Sequence, residues 1–271
     1  MAGDVLTTLD YTYTFVSGYW SVRVKDVDLT GYTALLAEVN GVPVTTLKNT
    51  FNSCAYMTEA PAIPSTVRHM EGTFTCCFGL QKAPVLPAGL QTMVGTFRDC
   101  HELTRAPQIP ASVTDMTDTF YNCRNLVVPP RLPEGVKKIS GVFFACTSIT
   151  EFPSLPSTVT DMSYAFYHNN LVEAPAIPAG VTNMSHAFSG NALITAPVIP
   201  ASVTNMQYAF EKCTQLTGTV TINARLSGDS YNPDLIESCF AGTTQPITLT
   251  GSCPYLQELA NTATNGNVTV G

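Results

Sequence analysis

The chain of 271 residues carries 13 basic and 20 acidic side chains, a net charge of −7, and is 12% charged against 45% hydrophobic. That balance argues against a nucleic-acid partner, because a phosphate backbone needs a basic footprint. No run of about 18 apolar residues is available to cross a membrane, and the opening MAGDVLTTLD lacks the basic-then-apolar order of a secretory leader, so none is expected there.

Residues 1–43 read as an N-terminal cap. Tyr11–Val16 and Tyr19–Lys25 are strand-like runs joined by Ser17-Gly18, which predicts a hairpin. Tyr32–Val39 predicts a short helix ahead of Asn40-Gly41.

Residues 44–216 repeat. Phe51, Phe74, Phe97, Phe120, Phe143, Phe166, Phe188 and Phe210 recur at one constant step five times and then at a step one position shorter twice. Three further columns keep register with them. An aliphatic residue lies seven before each (Val44, Val67, Leu90 onward), usually a methionine four before, and an apolar residue five or six after. Proline pairs separate the copies, from Pro61/Pro64 through Pro153/Pro156 to Pro197/Pro200. Such a period predicts a solenoid, in which one coil cannot bury its apolar side alone and stacked neighbours share a core. The short Val-Thr-x-Met run predicts one strand per coil, stacked about 4.8 Å apart into a parallel sheet, and a body roughly 40 Å long. Met116, Phe120 and Cys123, spaced four and three, predict a short helical turn with all three on one face. The prolines cannot donate ladder bonds, so their segments should be extended.

After Leu216 the pattern lapses. Thr219–Asn223, Ile247–Thr250 and Asn267–Val270 predict strands and Pro254–Asn261 a helix, so 217–271 reads as a C-terminal cap. The fold class is therefore α/β, a leucine-rich-repeat-like solenoid of about eight coils, each roughly 22–23 residues long. It should have a parallel sheet, short helical turns and a cap at both ends.

Of nine cysteines, Cys54, Cys77, Cys100, Cys123, Cys146 and Cys213 occupy the position three after phenylalanine, where two coils carry Asn169 and Asn191 instead. A disulfide or metal site would not tolerate asparagine at two steps of the series, so these eight residues read as a structural ladder of small side chains. No CxxC pair or histidine partner at ligand spacing suggests a metal. His69, His101, His168 and His186 fall in four different columns, which argues against a shared site. No nucleophile-elbow, zinc-protease, dinucleotide or phosphate-loop motif occurs, so neither catalysis nor a cofactor is expected. The P-x-x-P segments match the minimal ligand of SH3-type domains, but as a by-product of the period, with one apolar residue of each directed inward.

If methionine, phenylalanine and cysteine point inward, the positions two before and two after phenylalanine point outward. The former holds Asn49, Gly72, Gly95, Asp118, Gly141, Tyr164, His186 and Tyr208. The last three predict a stacked stripe flanked by Tyr167, His168 and Lys212. Tyr121 is an outward candidate in an earlier coil. Tyrosine offers flat apolar area and a hydroxyl at low entropic cost, which suits sugar or protein recognition. The alternative is an aromatic ladder that only stabilises neighbouring coils.

The copies VTDMSYAF (159–166), VTNMSHAF (181–188) and VTNMQYAF (203–210), with the FxxCxxL that follows in several coils, resemble the BspA-like class of bacterial leucine-rich repeats. The resemblance covers about 44–216. It departs from the usual pattern in the proline pairs, which replace a more aliphatic segment. It implies an α/β solenoid with a role in adhesion or ligand recognition, carried by surface proteins of gut bacteria, mycoplasmas and some protists, usually secreted and cell-anchored. It supplies no catalytic residue. The expected function is a non-enzymatic module that binds a protein or glycan at a bacterial cell surface or outside the cell. The alternative is a structural or receptor-binding component of a bacteriophage tail, by a weaker analogy. A hydrolase with an unrecognised site is the remote third reading.

Overall fold

A computed structural model describes residues 3–152, 154–224, 238–261 and 266–271. Pro153 of the fifth proline pair and residues 225–237 of the expected C-terminal cap lie outside the described residues. The chain divides into two compact units, Met1–Gly135 and Val136–Gly271, built from the same coil.

Each coil that follows a proline pair opens on a turn. The second proline of a pair offers its carbonyl to the N–H of the aliphatic residue three on, as from Val67 to Pro64 (3.1 Å) and from Val181 to Pro178 (3.1 Å). Next come single-residue parallel bridges between coils: Thr46 to His69 to Thr92 to Asp115 in the first unit, and Lys138 to Asp161 to Asn183 to Asn205 in the second. The parallel sheet of the repeats is therefore one residue wide at this strip. Side chains cap it: Oδ1 of Asp161 accepts from the Ser163 N–H (3.0 Å) and hydroxyl (2.8 Å).

The phenylalanine segment is not a helical turn. Alternate N–H groups leave the coil: those of Gly95, Phe97 and Asp99 reach the carbonyls of Thr117, Thr119 and Tyr121 at 2.9, 2.9 and 2.8 Å. Between them, Thr96 and Arg98 donate back to Met93 and Gly95. A helix would keep every such N–H within its own segment. Here half of them join neighbouring coils, so the backbone alternates direction. The residues two before and two after phenylalanine consequently take positive φ, from Asn49 (53°) and Ser53 (67°) to Tyr208 (55°) and Lys212 (58°).

The phenylalanine rings form the core, fully buried. Centroids are 5.3–5.5 Å apart from Phe51 to Phe120 and 5.6–5.9 Å apart from Phe143 to Phe210. The ladder then continues to Phe240, stacked on Phe210 at 5.7 Å and flanked by Ser238 (φ 52°) and Gly242 (φ 73°). The repeat thus gains a ninth rung beyond the point where the sequence pattern lapses. In the first unit the buried threonines preceding phenylalanine add a second ladder: Thr96 and Thr119 donate their hydroxyls to the Met70 (2.7 Å) and Met93 (2.8 Å) carbonyls of the coil before.

Strands β1 (Val5–Thr7), β2 (Tyr11–Val16) and β3 (Tyr19–Val24) form an antiparallel sheet. Ser17 and Gly18 make its two-residue turn, with φ of 49° and 97°, the geometry that matches strand twist. β3 covers the open end of the first coil: Val24 donates to the Thr50 carbonyl (3.4 Å) and the Arg23 guanidinium to that of Lys48. The helix expected over Tyr32–Val39 does not form. Asp10 accepts the Thr33 N–H (2.6 Å) and the Tyr13 hydroxyl accepts that of Leu36 (2.9 Å), so hairpin side chains hold the segment in an extended path. It ends in β4 (Glu38–Val39), which turns through Asn40-Gly41 onto β5 (Val42–Pro43). At the other end β6 (Gly218–Thr221), β7 (Ile247–Thr250) and β8 (Val268–Val270) form a parallel sheet, with α1 (Leu256–Asn261) between the last two in sequence.

Candidate functional site

The left-handed position two before phenylalanine carries asparagine, glycine or aspartate in the first unit, residue types that take positive φ at little cost. In the second unit it carries Gly141 and then Tyr164, His186 and Tyr208, these last three each with φ 55°. Consecutive coils then place these three rings face to face. Tyr164 and His186 lie 4.4 Å apart at 10°, and His186 and Tyr208 lie 4.7 Å apart at 15°. Tyr164 is 38% exposed.

A second stack runs beside the first. Tyr167 lies on Phe144 at 4.5 Å and 15°, and its ring is 5.8 Å from that of Tyr164 and 6.1 Å from that of His186. His168 is exposed, tilts against Tyr167 at 4.4 Å, and covers Gly190, where a Cβ would meet the imidazole at 3.0 Å. The structure therefore brings Tyr164, His186, Tyr208, Tyr167 and His168 into one surface. Phe144 belongs to it as well, a residue that the sequence reasoning does not nominate. A signal for it exists: the position after phenylalanine reads Tyr121, Phe144, Tyr167 in successive coils. Tyr121 lies in the first unit, under the Arg98 guanidinium at 4.0 Å, which is itself paired with Asp118 at 3.1 Å.

Polar groups edge the stack at its C-terminal side. The Ser189 hydroxyl donates to Glu211 Oε2 (3.1 Å), and Lys212 Nζ lies 3.2 Å from Glu211 Oε1. Burial lowers the pKa of His186 from its usual value, with Glu211 opposing. Burial, then the neighbouring Tyr167, raises that of Tyr164. His186 Nδ1 is buried with no hydrogen-bond partner among the described residues.

The cysteine column lies in the interior of the coils. The thiols of Cys77, Cys100 and Cys123 donate to the carbonyls of Phe51, Phe74 and Phe97, one coil back, at 3.1–3.2 Å. Cys213 does the same to Phe188 (3.2 Å). Asn191 Nδ2 reaches the equivalent carbonyl of Phe166 (2.6 Å) and also that of Phe188 (2.9 Å). Asn191 can stand in the cysteine column because it too is a small donor aimed at the same kind of carbonyl. All nine cysteines are free thiols. Among the described residues no group of three or more His, Cys, Asp or Glu could hold a metal ion, and no helix is long and apolar enough to cross a membrane.

Short stacked coils, with a phenylalanine spine and a cysteine/asparagine donor ladder, define a leucine-rich-repeat type of protein. The chain belongs to the BspA-type leucine-rich-repeat family: the sequence profile described as BspA type Leucine rich repeat region (6 copies) matches residues 44–127 and 93–217. Among solved structures, a leucine-rich repeat protein from Bacteroides ovatus superposes with a TM-score of 0.59 at 19% identity, covering 98% of this chain and 78% of that one. The leucine rich repeat protein of T. pallidum gives 0.48 at 21% identity, covering 81% and 86%. At these identities the first likeness is one of fold. No curated protein matches the chain.

Proposed function

We propose that the chain is a non-enzymatic recognition module that binds a protein or glycan ligand at a cell surface through the aromatic surface of its second unit. Residues 44–216 serve as the repeat body, and 1–43 and 217–271 as its ends. The observation that carries the reading is the choice of side chain at a position that favours glycine. A bulky residue in the left-handed region costs roughly 1–2 kcal/mol. A ring pair returns about 0.5–1.5 kcal/mol, so the two stacks together with the contacts of Tyr164 and His186 to Tyr167 do little more than offset the strain of the three residues. Gly72, Gly95 and Gly141 fill the same position with φ of 59–60°. Folding gains little from the rings that glycine would not supply, whereas a half-exposed aromatic surface is what a ligand would bury.

The test uses that same comparison. The protein is screened against immobilised glycans and intact cells, and a binder so found becomes the probe for Tyr164→Gly/Tyr208→Gly. The expected result is a Tm within about 3 °C of the parent, with affinity for the probe down at least about tenfold. A fall in Tm above roughly 10 °C with affinity retained would make the stack a stabilising ladder and overturn the reading.

A further inference from the structure

Between the two tyrosines sits a side chain that can change charge, and its surroundings give it one comfortable state. Both faces of His186 are covered, by Tyr164 at 4.4 Å and Tyr208 at 4.7 Å. Nδ1 is buried without a partner among the described residues. As an unprotonated acceptor it leaves a lone pair unused, which is the cheaper omission. As an N–H donor it would be a buried polar hydrogen with nothing to receive it, the costlier omission. The groups facing the ring offer little remedy. Tyr164 and Tyr167 come from the coil before, and Tyr208 from the coil after. The carboxylate of Glu211, also from the coil after, is engaged by Ser189 and Lys212. His168 meets Tyr167, not His186.

We infer that the Tyr164–His186–Tyr208 stack is an acid-opened latch. With a neutral imidazole it is closed; when His186 takes a proton from solvent at Nδ1, the imidazolium leaves the sandwich to hydrate its new N–H, and the two tyrosines lose their common partner. The inference rests on the reading of this stack as the recognition surface: ligand held near neutral pH is released in mild acid. Attraction between a cation and the faces of two tyrosines works the other way and would keep the imidazolium in place. The buried, unaccompanied Nδ1 decides against it.

The latch can be tested without a ligand, so its failure is distinct from failure of the binding reading. The imidazole C–H resonances are followed by NMR from pH 8 to 4, with His186 assigned through His186→Phe, alongside near-ultraviolet circular dichroism of the tyrosines. The expected result is a His186 midpoint below the ordinary imidazole value. Loss of the tyrosine signal should track it and be absent in His186→Phe, which stacks at every pH, but persist in His168→Phe. A His186 midpoint at or above the ordinary imidazole value, or a tyrosine signal unchanged through the His186 titration, would overturn the latch. Should His186→Phe fail to fold, His186→Gln replaces it. Its neutral amide removes the titration, so its tyrosine signal should be flat with pH.

Discussion

Asn169 is the rung of the donor ladder that does not fit. Its Oδ1 accepts the Cys146 N–H at 3.0 Å, an N–H that also has the Phe143 carbonyl at 3.2 Å. Its Nδ2 is buried with no acceptor among the described residues. A buried unmade donor costs about 1–3 kcal/mol, and cysteine is the ladder's usual occupant. Asn169→Cys should therefore stabilise the protein by about 1 kcal/mol, read as a rise in the urea midpoint at unchanged m-value. A loss of stability would mean that the Oδ1 bond to Cys146 outweighs the orphaned Nδ2. The column's membership is legible in the sequence, because eight copies keep register. The shared task of its two residue types is not, since the receiving carbonyl belongs to the preceding coil. The left-handed positions are half legible. Asn49, Gly72, Gly95, Asp118 and Gly141 are the residue types that positive φ selects, yet a periodicity of three and four suggests a helix instead.

Elements without their own register are the hardest to read. The hairpin of β2 and β3 is legible because Ser17-Gly18 sits between two alternating runs. Tyr32–Val39, in contrast, looks helical only until Asp10 and Tyr13, far back in the hairpin, take its N–H groups. The ninth rung is hidden because the step from Phe210 to Phe240 is longer than any earlier step in the series. The same C-terminal stretch holds a tight contact between elements. Gly251, directly after β7, has φ 119°, and a Cβ there would collide with the Ile222 carbonyl oxygen that follows β6. Backbone cannot yield as a flexible side chain does, so Gly251→Ala should part the end of the β6–β7 pairing, where Ile222 donates to Thr250 at 2.7 Å. The expected loss is at least about 2 kcal/mol, with faster hydrogen exchange at the Ile222 and Thr250 amides. Unchanged protection would show that the strands tolerate a wider separation.

Across the molecule, titration should weaken the fold mainly from the alkaline side. Two carboxylates shift in opposite senses: hydrogen bonds from Thr33 lower the pKa of Asp10, while burial raises that of Asp118. The first loses stability as pH falls and the second gains it, so acid has little net grip beyond His186. Six buried thiols shift together. Burial raises Cys54, Cys77, Cys100, Cys239 and Cys253 above the ordinary value of 9.0, and pushes Cys213 up to about 12. Burial raises Tyr11, Tyr13 and Tyr32 likewise. A group whose folded pKa exceeds its unfolded one stabilises fully below the unfolded value and loses that contribution as pH climbs toward the folded value. For Cys213 the window runs from 9.0 to about 12. Each fully buried thiol then costs about 1.4 kcal/mol per pH unit above its unfolded value. Against a typical stability of about 5–15 kcal/mol, several thiols acting together should unfold the protein cooperatively near pH 10–11. Circular dichroism melts across pH should show a Tm that is flat from about pH 6.5 to 9, declines shallowly to pH 4.5 and falls steeply above pH 10. Cys213→Ser keeps a small donor for the Phe188 carbonyl but removes the titrating thiol, so it should move the alkaline midpoint upward. An alkaline midpoint that stays in place, or a protein that melts first in acid, would show that charge elsewhere governs its stability.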